Sequence, residues 1–206
     1  MDSSAEDAAR SISRRGAIKG STAIWLVPSV VSFGAVATAM GSGIEPTITA
    51  TTNFDILDPP PPSIKRNQLA SNTDGFIFQE SGCVALGTDV IVNRASDGTF
   101  AGDTSESATI PAGTLAASFL VVFDRTAGGR VVASVTFSND ILGLAFRPAE
   151  FASSTSEFAL TGLCYPTTNG EYFEGSDTLV LSGNTLEIDS RVNSAFNDVV
   201  RVIVAC

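Results

Sequence analysis

The sequence predicts an all-β protein, an antiparallel β-sandwich or jelly-roll-like fold, preceded by a helical signal segment and a Pro-rich linker. Three observations lead there. Short apolar runs recur at regular spacing and are separated by Gly, Asn, Asp and Ser. Several of these runs alternate apolar and polar residues, the period of a strand with one buried face. Beyond residue 39 no stretch has a convincing amphipathic helical period. The composition agrees: 206 residues with 18 Gly and 13 Phe against 2 Met, 44% hydrophobic and 17% charged, describe a folded, turn-rich chain.

Residues 1–39 have the plan of a twin-arginine-type signal peptide: a basic stretch, an apolar stretch, then a small-x-small site. Ser13, Arg14, Arg15, Ile18 and Lys19 match the S/T-R-R-x-F-L-K pattern, and Ala17 departs from it where Phe is usual. The apolar run 20–39 ends in Ala37-Thr38-Ala39, which places the cleavage site at Ala37 and Ala39. The expected partners are therefore the twin-arginine export machinery and a signal peptidase. The expected destination is outside the cytoplasm, secreted or at the cell surface. The alternative is an uncleaved membrane anchor through 20–39, which is just long enough to span a bilayer. Its Gly, Ser, Thr and Ala content and the Ala-x-Ala ending favour cleavage.

Residues 40–73 show little pattern. Pro59, Pro60, Pro61 and Pro62 force an extended polyproline segment, so the stretch reads as a flexible spacer. The sandwich domain is expected over 74–206. It opens with a strand over 76–80, followed by strands over 83–86 and 89–92 on either side of Gly87. Residues 97–108 read as a polar loop.

The best-patterned piece is 110–146. Pro111 and Gly113 break the chain before a strand over 118–123. There Phe119, Val121 and Phe123 share one face and Leu120 and Val122 the other, so both faces are apolar and the strand is central. The turn 124–130 contains Gly128 and Gly129. Over 131–137, Val131, Ala133, Val135 and Phe137 face the core and Val132, Ser134 and Thr136 face out. Asn139 and Asp140 turn the chain into an apolar run over 141–146. Residues 147–155 read as an irregular connection, 157–160 as a short strand and 161–175 as a loop. Ser182-Gly183-Asn184 between 178–181 and 185–189 is a hairpin signal. A strand over 199–204, with Val200, Val202 and Val204 inward, closes the fold.

Composition also bounds function. There is no histidine, which removes the usual general base, the Ser-His and Cys-His nucleophile pairs and the commonest zinc ligand. The net charge of −10 repels phosphate backbones, so nucleic acid is not an expected partner. Cys83, Cys164 and Cys206 all lie in the exported part, where a disulfide is expected. Three cysteines allow three single pairs with one thiol left over. A bridge involving Cys206 is favoured because it would pin a terminal strand. A nucleophilic role for any of them lacks a histidine partner.

Asp97, Asp103 and Glu106 are weak candidates for a Ca²⁺ site, since that ion wants several close oxygens. Their spacing fits no EF-hand, and solvated turns account for them more simply. Glu171 with Glu174, or Glu187 with Asp189, would be the carboxylate pairs for glycoside hydrolysis. The second pair sits on one wet strand face opposite Leu186 and Ile188. Tyr165, Tyr172 and Phe173 would stack on a sugar from one loop, or else cap the core. Asp198 and Arg201 read as a structural ion pair or cap. No catalytic, cofactor-binding or metal residue is assigned, and no cofactor is expected.

Short motifs in chain order carry a resemblance: Phe78 and Glu80; Ile110-Pro111-Ala112-Gly113-Thr114; Ser118 to Phe123-Asp124; Val135-Thr136-Phe137; Ile141-Leu142-Gly143; Tyr165; Glu174; and Asp198-Val199-Val200-Arg201-Val202-Ile203. Over 76–204 the chain resembles bacterial secreted β-rich proteins of uncharacterised function, many of which carry a PEP-CTERM sorting tail. It departs from them by ending at Cys206 without a sorting helix, so sorting by that route is not implied. The resemblance implies a β-rich exported domain and no catalytic residues. The expectation for function is a secreted or cell-envelope-associated, non-catalytic β-sandwich, structural or adhesive. The alternative is a carbohydrate- or calcium-binding module using the 97–106 and 161–175 loops, with an envelope or glycan partner not identified.

Overall fold

The computed structural model describes residues 44–103, 106–166, 172–191 and 197–206. Its strands are β1 (Ile48–Thr52), β2 (Phe54–Ile56), β3 (Gly75–Ala85), β4 (Val90–Val92), β5 (Gly98–Ala101), β6 (Ala108–Ile110), β7 (Leu115–Phe123), β8 (Val131–Phe137), β9 (Ile141–Ala145), β10 (Thr178–Ser182), β11 (Thr185–Ser190) and β12 (Asp198–Ala205). Among the described residues a single helix, α1 (Pro148–Phe158), interrupts them. Two five-stranded sheets run in the orders β1-β8-β11-β10-β5 and β2-β3-β7-β12-β9, and β4 pairs with β6 as a separate ribbon. All pairings are antiparallel except β2 with β3. The expected all-β sandwich is the observed architecture.

The alternation read for 118–123 explains where the layers sit. Phe119, Val121 and Phe123 of β7, with Val200, Val202 and Val204 of β12 beside them in the same sheet, face the other sheet, where they meet Val131, Ala133, Val135 and Phe137 of β8. Leu120 and Val122 face away from that core but are also buried, with Phe76, Phe78, Phe151 and Tyr172. A third cluster joins Val90, Val92 and Ile110 of the β4-β6 ribbon to Phe158 and Ile203. The sheet holding β7 is thus covered on both faces, which is why its central strands are apolar on both sides.

The spacer expected over 40–73 is, from Ile44 onward, part of the sandwich. β1 joins one sheet and β2 the other, with the chain crossing at Asn53. Phe54 packs on Phe123, with ring centroids 5.5 Å apart. Beyond the prolines, Ile64 is fully buried and its N–H bonds the Cys164 carbonyl at 3.0 Å. The Asp124 carboxylate, itself buried, accepts the backbone N–H groups of Asn67, Gln68 and Leu69 at 2.9, 2.8 and 3.0 Å. These ties use backbone groups and isolated apolar residues, so they leave no periodic trace in sequence.

α1 lies where an irregular connection and a strand over 157–160 are expected. Pro148 starts it, where a missing N–H is harmless, and Glu150 sits favourably in the first turn. Its buried stripe is Phe151, Ser154 and Phe158. With only two large apolar residues the stripe hardly registers as amphipathic. Ser154 and Thr155 further lower helix propensity by bonding back to the carbonyls of Glu150 and Phe151. At its C-terminal end Glu157 receives the N–H groups of Gly87 and Thr88 and the Thr88 hydroxyl, which hold its carboxyl below the ordinary range.

Cys83 and Cys206 are bridged, and Cys164 is a free, exposed thiol. The bridge joins β3 to the end of β12 across 123 residues of chain. A closed loop of that length is expected to stabilise the fold by about 2–5 kcal/mol. Urea denaturation with and without reductant should show that loss, and a thiol titration of the unreduced, unfolded protein should find one thiol per chain.

Candidate functional site

The most concentrated polar chemistry is buried on the outer face of the β3-β7-β12 layer, beneath α1. Alternation along β12 sends Val200 and Val202 to the inter-sheet core and Arg201 to the opposite face. β3 continues the row Phe76, Phe78 with Glu80, at a register shift between Gln79 and Ser81. β7 continues Val122, Leu120 with Ser118. Three polar residues therefore arrive side by side on a face that is otherwise apolar.

The side chains of Glu80 and Arg201 are fully buried and paired in a fork: Arg201 Nε to Glu80 Oε2 at 2.6 Å and Nη2 to Oε1 at 2.6 Å. Ser118 Oγ donates to Oε2 at 2.8 Å and the Tyr165 hydroxyl to Oε1 at 2.6 Å. The Tyr165 oxygen in turn accepts the Leu160 N–H at 2.7 Å. Arg201 Nη1 donates to the Phe151 carbonyl at 2.9 Å and to the Ser154 and Thr155 hydroxyls, and the guanidinium lies 4.2 Å from the Phe151 ring centroid. Burial and the neighbouring Glu80 carboxylate raise the Tyr165 phenol well above its usual range, so it remains a donor. Bidentate geometry and satisfied lone pairs are what make such a buried pair tolerable. The Glu80–Arg201 pair at the centre of the cluster is closed to solvent, and both carboxylate oxygens and all three guanidinium nitrogens have partners. The cluster fastens α1 and the 160–165 segment to the sheet.

Arg201 thus pairs with Glu80 and not with Asp198, the partner expected from sequence. Asp198 lies at the start of β12, almost fully buried, and accepts the Ser190 hydroxyl at 2.7 Å. Burial, then the charge of Asp177, pushes its carboxyl up to about 8, against the Ser190 bond. Asp177, also buried, accepts the N–H groups of Arg191 and Glu174, each at 2.7 Å.

The sequence-predicted residues divide. Asp97 accepts the Gly183 N–H at 2.8 Å, and Glu106 pairs with Arg94. Asp103 stands instead at Gly175, where an added Cβ would lie 2.7 Å from its Oδ2. The three weak calcium candidates therefore engage separate partners. Among the described residues no group of three or more acidic, cysteine or histidine side chains is placed to hold a metal ion. Glu187 is exposed, and Asp189 is held below the ordinary range by a bidentate contact with exposed Arg130 at 2.6 and 2.7 Å. Tyr165 is half-buried on the Glu80 cluster, Tyr172 packs against Phe151, and Phe173 packs against Phe123 and Phe146. Those rings serve the core. Glu171 and the export residues Ser13, Arg14, Arg15, Lys19, Ala37 and Ala39 lie outside the described residues.

The structure does bring the two candidate binding loops together. Gly102 donates to the Asp177 carbonyl at 3.0 Å and sits so close to the Glu174 backbone that a Cβ would collide at 2.2 Å. Asp103, Arg147, Glu150, Tyr172 and Glu174 then share the wall of an open groove of about 660 Å³. Searches against protein-family models, curated proteins and solved structures find no match for the chain.

Glu80→Gln or Arg201→Met should each destabilise the protein by about 3–5 kcal/mol in urea unfolding, because each leaves a buried charge unpaired. Asp198 works in the other direction with pH. Its folded value of about 8 exceeds the unfolded 3.8, so its contribution is full below pH 4 and is lost as pH rises through about 8. Asp198→Asn should therefore gain stability relative to the parent progressively over that window, with little difference near pH 4, as read from melting temperatures across pH.

Proposed function

We propose that the chain is an exported or cell-envelope-associated β-sandwich without catalysis, structural or adhesive in role. The observation that carries this reading is the use made of its polar residues. In the cluster with the strongest chemistry, Glu80, Arg201, Tyr165, Ser118 and Ser154, the central ion pair is fully buried and the donors and acceptors engage one another. The missing histidine, the Cys83–Cys206 bridge suited to an oxidising compartment and the twin-arginine-like leader point the same way. The likeness to secreted β-rich proteins adds to it.

A second reading, a carbohydrate- or calcium-binding module, draws support from the groove where Asp103 of the first loop meets Glu174 of the second. Melting separates the two, because a ligand that binds only the folded state stabilises it. Fractionation of producing cells, with intact mass and melting curves in Ca²⁺ and in representative oligosaccharides, is the test. The structural reading expects processed protein outside the cytoplasm and unchanged melting. A melting rise that saturates with Ca²⁺ or one sugar, and vanishes in Glu174→Gln, would establish the second reading instead. Full-length protein retained in the cytoplasm would overturn export.

A further inference from the structure

Beyond this reading, and independent of it, the edge of one sheet is left largely uncovered by its neighbouring strand. β3 runs for 11 residues, but β2 covers only Gly75, Phe76 and Ile77 of it. Leu57 N–H to the Ile77 carbonyl, at 2.8 Å, ends that pairing, and the chain then leaves the sheet toward the prolines. Gly75 and Ile77 turn their backbone groups to β2, as shown by Gly75 N–H on the Asn53 carbonyl and Leu57 N–H on Ile77. By the alternation of a strand, Gln79 presents its N–H and C=O on the same side, where β2 has already ended. Further along, Cys83 N–H is taken not by a strand but by the Glu45 carboxylate, at 3.1 Å.

A cleft of about 550 Å³ lies along this open edge, with Gln79, Glu80, Ser81 and Gly82 in its wall. Pro46, Ile48, Ile56, Leu57, Pro60 and Phe119 make the rest largely apolar. Ile48 and Phe119 pack with the inter-sheet core, so the cleft opens onto it. Ile56 is 54% exposed at its rim. Of the charged residues in the wall, Glu80 is buried against Arg201, and the other two, Glu45 and Asp58, are both acidic; no lysine or arginine lines the cleft.

We propose that this edge docks an extended segment of a partner protein: a strand with alternating apolar side chains, flanked by lysine or arginine. Its backbone would add to β3 at Gln79–Ser81, its apolar side chains would enter the cleft over Ile48 and Phe119, and its basic flanks would meet Glu45 and Asp58. Backbone pairing supplies affinity in this mode, and the side-chain pockets and charges supply selectivity.

The full-length protein should be titrated with a fluorescent peptide of sequence KVTVTVK. Two control peptides accompany it: the same sequence with alternate backbone amides N-methylated, and one flanked by glutamate. The proposal expects saturable binding of the first, weakened roughly tenfold or more in both controls and in Ile56→Lys. It also expects slowed hydrogen exchange confined to β3 and its flanks. Ile56 is exposed, so its replacement should leave the melting temperature unchanged. Equal binding of the N-methylated peptide would overturn the proposal, as would absence of saturable binding up to about 1 mM or protection elsewhere. Fractionation of cells has no bearing on this result, so the docking edge and the export reading fail separately.

Discussion

Everything on one side of this sandwich depends on a charge placed where a charge should not be. β12 is a central strand, buried on both faces, and Arg201 sits near its middle. A lone guanidinium there would cost several kcal/mol. The surrounding chain answers with a carboxylate from β3, itself held by a hydroxyl from β7, and with a carbonyl and hydroxyls of the helix. These partners come from segments far apart in sequence, so satisfying Arg201 fixes where each must lie. The ion pair is better understood as a constraint on arrangement than as a source of net stability.

That constraint explains the asymmetry of the fold. The sheet containing β8 and β11 alternates cleanly and keeps one face toward water, with Val132, Glu187 and the Arg130–Asp189 pair outside. The sheet containing β3, β7 and β12 carries a second layer. α1, the 57–73 segment and residues 160–165 with Tyr172 together bury Phe76, Phe78, Leu120 and Val122. This layer is stitched by polar contacts: Asp124 to three backbone N–H groups, the paired bonds of Ile64 and Cys164, and the Glu80 cluster. The disulfide then closes the end where β3 and β12 would fray.

The sandwich was legible because its strands follow simple alternation. Phe119, Val121 and Phe123 against Leu120 and Val122, and Val131 to Phe137 against Val132 to Thr136, lie on the faces that their spacing requires. The second layer was not legible, since non-periodic contacts build it. Phe151, Ser154 and Phe158 become a helical stripe only once Ser154 is known to bond Arg201. Residues 44–73 are tied by backbone bonds and by Phe54 and Ile64, not by a pattern. One signal was present: Glu80, Ser118 and Arg201 are polar residues in three otherwise apolar rows on the face away from the inter-sheet core, with opposite charges to match. Sequence proximity suggested Asp198 for Arg201, but alternation puts residues 198 and 201 on opposite faces of one strand. Of the candidate loops, the meeting of Asp103 with Gly175 depends on β5 pairing with β10, a long-range choice that no local motif announces.

The most direct test of this account is native-state hydrogen exchange on Glu80→Gln beside the parent protein. If the Glu80–Arg201 cluster fastens the second layer, the amides of α1 and Leu160 should lose protection selectively. Those of β8 and β11, on the other sheet, should keep theirs apart from any shift in global stability. Equal loss of protection in both sheets, or unchanged protection in α1, would contradict it.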